Sequence, residues 1–573
     1  MASLWNGTPK INAVEAVGPV LVLERAKDGR ENWMFGGDSG GTVTTGTPGV
    51  GRDFTLDRAV ISGGRVVFID RAAGSRVELT DLDMQTAIAD FDGPVRVEMS
   101  ATKEGQPFTL DLTLGMFRDA LDGKLGPVEA VFSAGKAQGS FKGQAGWNPL
   151  AAKGDLVADL GTLAEVAALA GAAAPQLPQG LGAGGVSVKG GLTLTDKGSA
   201  HLRGGTVTLD DTVLAVDADL TPGEARPRLV AKVLAGDLNL AAVAGGSGGG
   251  AGGGMQAEGW PKDRIDVSPL GLIDADVSLK ADAIDLGVVR LGATSLKLTI
   301  DRARAVFDLA RVQAYGGTVA GQFVLNGRKG LSVGGDLGFS GMDLQSLMRD
   351  FAGYERLIGT GDLRLKFLGV GQSVDAIMQG LEGSGSLALG QGEILGLDIG
   401  GMIRTLDTGY VGEGQKTIFD SLTASFAIAG GVLQNDDLAL ATPFAAVTGK
   451  GKLGLGARTI NYRLRATAEV GDQTLPVPIL IKGPWADPKI SLDLEALAKE
   501  RLDLEKEKLE AEARAKAKAL EAEAKAKAKA KLEEELGVVQ QEGESIEDAV
   551  KRRGEEVLTD EAAKALEKLL GGN

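Results

Sequence analysis

The sequence predicts a mainly β protein, an elongated and repetitive antiparallel sheet shaped as a trough, with short capping helices and a long C-terminal α-helix. Three observations carry this expectation. Apolar and polar residues alternate in short segments along most of the chain, Gly is abundant, and the composition changes abruptly near residue 494.

The alternation is clearest in "TINYRLRATAEV". Ile460, Tyr462, Leu464, Ala466, Ala468 and Val470 fall on one face and Asn461, Arg463, Arg465, Thr467 and Glu469 on the other. Successive strand residues point to opposite sides, so this pattern gives one apolar and one wet face. "SLTASFAI" repeats it with Leu422, Ala424, Phe426 and Ile428. "RVVFID", "FTLDLTL", "DVSLKAD", "TSLKLTI" and "GDLRLKFLG" do the same. Gly, Asn and Asp clusters separate the segments at short spacing, the mark of hairpins. The 86 Gly residues are expected mainly in those tight turns.

A second element recurs between the strands. In "GDLNLAAV", "AIDLGVV", "GMDLQSLM", "GLDIGGMI" and "DLGTLAEV", a polar residue (Asn239, Asp285, Asp343, Asp398, Thr162) precedes an apolar turn. Such side chains accept from free N–H groups, so each predicts a short helix start. "AGGSGGGAGGGM" at 244–255 has no side chains to build a core and reads as a linker. It separates an N-terminal β-rich region, 1–243, from a second, 256–494. Residues 495–573 form a charged helical tail. Its first helix, Leu494 to Leu536, carries i,i+4 pairs such as Glu521–Lys525 and Glu523–Lys527, and would run roughly 65 Å. Its leucines keep no heptad, so a single charged helix is expected. Two shorter helices should follow, one capped near Ser545 and one from Thr559 to Gly571.

Composition excludes several chemistries. There is no Cys and a single His, His201, so thiolate metal sites, disulfides and His-based triads are ruled out. His201 reads as a surface strand residue. The net charge of −16 argues against nucleic-acid binding. No run of 18 apolar residues predicts a transmembrane helix. "GKGKLG", Gly449 to Gly454, matches a nucleotide-loop spacing but sits in an alternating segment with no helix after it. No catalytic constellation, metal site or cofactor motif is visible, so no enzyme activity is expected.

Four stretches carry a family resemblance. They are "GTGDLRLKFLGVGQS", "LEGSGSLALGQGEILGLDIGGMI", "TIFDSLTASFAIAGGVLQNDDLALATPFAAVTGKGKLGL" and "TINYRLRATAEV … VPILIKGPWADPKISLD". Together they look like the C-terminal region of AsmA-family proteins. "GPVLVLERAKDGRENWMFG" is similar to that family's early strand-turn pattern. The resemblance implies a non-catalytic Gram-negative envelope protein that supports outer-membrane biogenesis by carrying phospholipid, or another acyl-chain lipid, along an apolar β-groove. It implies placement at the periplasmic face of the inner membrane, through an anchor that this sequence lacks along with the first strands. An envelope protein is the expected partner of the tail. The candidate groove residues are Leu422, Phe426, Ile428, Ile460, Tyr462, Leu464 and Val470, on a face open enough that Leu464→Asp should leave the fold intact. Two alternatives stay open. A structural or adhesive β-repeat protein would have a closed dry core. A hydrolase of envelope glycans would need two carboxylates facing each other across a cleft.

Overall fold

The structure is a computed structural model. It describes the chain except residues 1–9, 33–53, 72, 73, 104, 148, 163, 166–181, 242–258, 288, 406–409, 471, 472 and 571–573. Two compact units emerge, one of residues 1–475 with 479–491, the other of 476–478 with 492–573.

The first unit is built on one open sheet, to which all 29 strands among the described residues belong. From Thr55–Asp70 onward almost every strand pairs antiparallel with its neighbour in sequence, as alternating segments joined by short turns must. The sheet is nevertheless mixed. Three short strands, Lys10–Ile11, Val14–Val17 and Val20–Arg25, lie parallel to Thr55–Asp70. Asn32 ties that edge by donating to Val22 O and accepting from Glu24 N–H.

The second parallel ladder joins Arg228–Asn239 to Asp274–Asp285. A parallel neighbour cannot be reached by a hairpin, because the chain must return to the opposite end of the sheet. The Gly-rich stretch expected as a linker, 244–255, falls in this connection and lies outside the described residues. The chain reappears at the far strand ends. Trp260 Nε1 donates to Leu455 O at 2.8 Å, Asp375 N–H donates to Pro261 O, and Ile265 N–H donates to Gln372 O. Segment 259–272 therefore runs along the strand ends as a strap before entering the Asp274–Asp285 strand.

Short helices close the strand ends on the apolar face. Asp343 accepts from Gln345 N–H at 3.2 Å to start Leu344–Ala352, and Asp398 accepts from Gly401 N–H at 2.9 Å beside Ile399–Thr405. Thr162 and Glu165 exchange bonds in a capping box, and Asn239 accepts from Ala241 N–H, although the chain beyond each soon leaves the described residues. Asp285 differs. Its carboxylate accepts from Gly287 N–H and forms a tight turn into Arg290–Leu291, not a helix.

Many glycines also depart from expectation, since they sit inside strands under aromatic rings. A Cβ on Gly385 would lie 2.4 Å from Phe426, on Gly392 2.4 Å from Phe419, on Gly335 2.6 Å from Phe367 and on Gly449 2.8 Å from Tyr462. These positions exclude a side chain so that a ring on the next strand can lie across them. The "GKGKLG" segment is a case of this kind.

In the second unit Leu494–Leu536 is one helix of 43 residues. Its Ala, Glu, Lys and Leu content is that of a strong helix former, and Glu521–Lys525 and Glu523–Lys527 pair at 2.8 Å. After it comes one helix, Ile546–Leu570, where two were expected. Ser545 caps it by accepting from Asp548 N–H. Thr559 does not restart it, because its hydroxyl donates back to Glu555 O and Glu556 O within the same helix.

Candidate functional site

Cross-strand register lines up one apolar row across the sheet. Val97 faces Leu112, then Ala130, Phe141, Leu156 and Gly190 on successive strands. A bulge follows, where a Cβ on Gly190 would meet the Gly205 backbone at 2.8 Å and one on Gly205 would meet Leu202 at 2.6 Å. The row resumes through Val216, Val233, Leu279, Leu296, Leu309, Gly321, Leu337, Leu365, Gly385 and Phe426. With strands about 4.8 Å apart, its contour is on the order of 75 Å.

The apolar side chains of this row are half-buried. Toward the strand ends the same face is closed off in places, although Trp147, Leu150 and Leu220 stay exposed. Leu114 and Val128 pack with Ala120 of the Phe117–Leu121 helix, and Val312, Val319 and Met342 pack with Leu347. Leu331, Ile377, Leu381 and Ile428 pack with Ile265 and Val267 of the strap. Packed stretches of margin beside an accessible middle make a lined channel, and among the described residues no second sheet covers the row. At Leu279, Leu296 and Leu309, beside Gly321, the row opens into a concavity of about 390 Å³.

Among the sequence-predicted residues, Phe426 belongs to the row. Leu422 and Ile428 share its strand but are buried, at 6% and 4% exposure, Leu422 between Leu389 and Leu440. Ile460 is half-buried opposite Leu453. Tyr462 and Leu464 are buried at 7% and 6%. The side chain of Val470 lies outside the described residues. The Tyr462 hydroxyl donates to Asn435 Oδ1, and Asn435 Nδ2 donates to Ser425 O at 2.6 Å and Asp437 Oδ1 at 2.7 Å. Burial, with Asp437 and Asp436 nearby, pushes the Tyr462 phenol well above its ordinary value. The row therefore ends at Phe426, and beyond it the face is packed at Tyr462, Leu464 and Ala466 while Ile460 stays half-buried. The residues that sequence reasoning did not single out, Leu279, Leu296 and Leu365, lie in "DVSLKAD", "TSLKLTI" and "GDLRLKFLG". Their alternation was visible, but which inward residues stay accessible depends on what covers the strand ends.

No arrangement for bond-making chemistry comes into view among the described residues. His201 and Arg203 both pair with Asp219 on the neighbouring strand, and their hydrogen bonds hold its carboxyl below the usual range. Among the described residues no group of three or more His, Asp or Glu side chains is placed to hold a metal ion, and no helix is long and apolar enough to cross a membrane.

An open single sheet with a long apolar row and partly packed margins defines a β-trough protein. The AsmA family model matches residues 144–461, more than half of the chain, and the protein belongs to the AsmA family. That family is associated with envelope and outer-membrane assembly and is generally non-catalytic. No curated protein and no solved structure matches the chain.

Proposed function

We infer that this protein carries phospholipid, or another acyl-chain lipid, along the apolar row as part of envelope assembly, without catalysis. The observation that carries this reading is the half-buried row itself, accessible in its middle and packed along parts of its margins. An acyl chain lying on it would take the place of a second sheet and recover roughly 0.8 kcal/mol per buried CH₂. Placement at the periplasmic face of the inner membrane, and an envelope protein as partner of the helical tail, belong to the same reading.

Native mass spectrometry of the purified protein should find bound lipid. A photo-crosslinker at Leu296 should label acyl chains, and one at Lys297, on the opposite face, should not. A folded protein free of lipid and unlabelled at Leu296 would end this reading. A structural role with a closed core is favoured by one observation, the packing around Tyr462, Leu464 and Ala466, the last at 0% exposure. It expects no lipid anywhere on the sheet.

A further inference from the structure

Where the strap enters the Asp274–Asp285 strand, three arginine residues border one open cavity of about 320 Å³. Arg226, Arg302 and Arg328 line it with Gly271, Ala303 and Gly327. In a chain of net charge −16 this is a local cluster of positive charge, and the carboxylates that pair with it are Asp301 and Asp274. Asp301 pairs with Arg302 at 3.2 Å and with Arg328 at 2.7 Å. Asp274 lies 3.8 Å from Arg226, too far for a hydrogen bond, and accepts instead from Arg302 N–H at 2.9 Å. The turn holding the cavity is strained. Arg302 and Ala303 both take positive φ, 45° and 62°, in a hairpin position where Asn-Gly is the usual choice. Such strain persists where the surroundings enforce it and clusters at binding sites.

The cavity's position gives it a ligand class. Asp274, Asp301 and Arg304 mark the ends of three adjacent strands, and Leu279, Leu296 and Leu309 lie five residues along each. At about 3.3 Å per residue, those strand ends stand about 16 Å from the apolar concavity; Arg302 sits in the turn between two of them, and Arg226 and Arg328 flank the neighbouring strands Arg228–Asn239 and Gly317–Asn326. That separation suits a phosphoryl group at the rim with a tail reaching the row. Guanidinium groups match phosphate oxygens in geometry and charge.

We propose that Arg226, Arg302 and Arg328 form a phosphoryl-binding site at the rim of the trough, which holds the headgroup of a lipid whose acyl chain lies across Leu279, Leu296 and Leu309. The proposal rests on the lipid-carrying reading for its tail but not for its phosphate.

The test compares wild-type full-length protein with Arg226→Gln/Arg302→Gln, both folded by circular dichroism. Arg328 is left intact because it also ties two turns through Arg302 O and Asp301 O. The probes are fluorescent phosphatidylglycerol, diacylglycerol with the same tails, and inorganic phosphate. Wild-type protein should prefer phosphatidylglycerol, and the double variant should lose at least roughly tenfold in that affinity while keeping its affinity for diacylglycerol. If neither lipid binds, the groove reading falls, and phosphate bound by wild type but not by the variant would then assign the site to free phosphate. Equal binding of all phosphoryl probes by both proteins overturns the proposal, whatever happens to diacylglycerol.

Discussion

The phenol of Tyr462 donates its proton to the amide oxygen of Asn435, under a face that is otherwise apolar. Both side chains are buried, so neither can exchange the other for water. Tyr462→Phe strands the Asn435 carbonyl and should cost about 1–3 kcal/mol, measured by urea unfolding. Burial also raises the folded-state pKa of this phenol. The unfolded phenol ionises near pH 10, and the buried one resists. Stability is therefore fully present below about pH 10 and is lost as pH rises from there through the folded pKa. Tyr462→Phe should flatten that alkaline decline, and an unchanged slope would rule Tyr462 out as its source.

Charge introduced along the inner face should separate packed from accessible positions. Leu464→Asp places a carboxylate where the leucine is 6% exposed, with a cost of roughly 3 kcal/mol or more. Leu296→Asp, on the half-buried row, should fold with little loss and give up bound lipid. Thermal unfolding and lipid content of the two variants, measured side by side, check the contrast.

Glycine under a ring is a steric requirement. A Cβ on Gly449 would meet Tyr462, Leu438 and Leu464 at 2.8–2.9 Å. Gly449→Ala should therefore destabilise by about 1–3 kcal/mol. Adding Tyr462→Ala should make the alanine at 449 markedly less costly, a coupling that a double-mutant cycle measures directly.

The strap hangs on Trp260. Its ring stands edge-on to Trp485 at 6.1 Å, and Arg458 lies over both indoles at 5.7 and 5.5 Å. Trp260→Ala should cost about 3–5 kcal/mol and speed hydrogen exchange at the Ile265 and Asp375 amides. Unchanged exchange there would mean that Ile265 and Val267 hold the strap alone.

Much of the sheet was legible, because period-two alternation in segments such as 294–300 fixes which residues face inward. The caps at Asp343 and Asp398 were legible for the same local reason. Asp285 was not, since an Asx turn and an N-cap begin with the same side chain and diverge only in the residues after it. The parallel ladder between 228–239 and 274–285 left no local mark, because a crossover is a relationship between distant residues. The division of the inner face into open row and packed margin was equally hidden. Leu464 and Leu296 have the same pattern around them, and only the elements covering each one differ.

Nearly every ladder in the sheet joins strands adjacent in sequence, but the bond from Trp260 to Leu455 spans 195 residues. At ribosomal speeds of about 5–20 residues per second, Trp260 emerges on the order of 10–40 s before its acceptor. Through that interval the growing ribbon can zip hairpin by hairpin, and Ile265 and Val267 can dock once Leu331 and Ile377 are made, while the Trp260 indole still has no acceptor. The indole is thus the strap's last clasp to fasten, and its unfastened state is a birth condition of every newly made copy. The nascent chain's demand for a chaperone should peak there, between the synthesis of the indole and the completion of the hairpin that receives it.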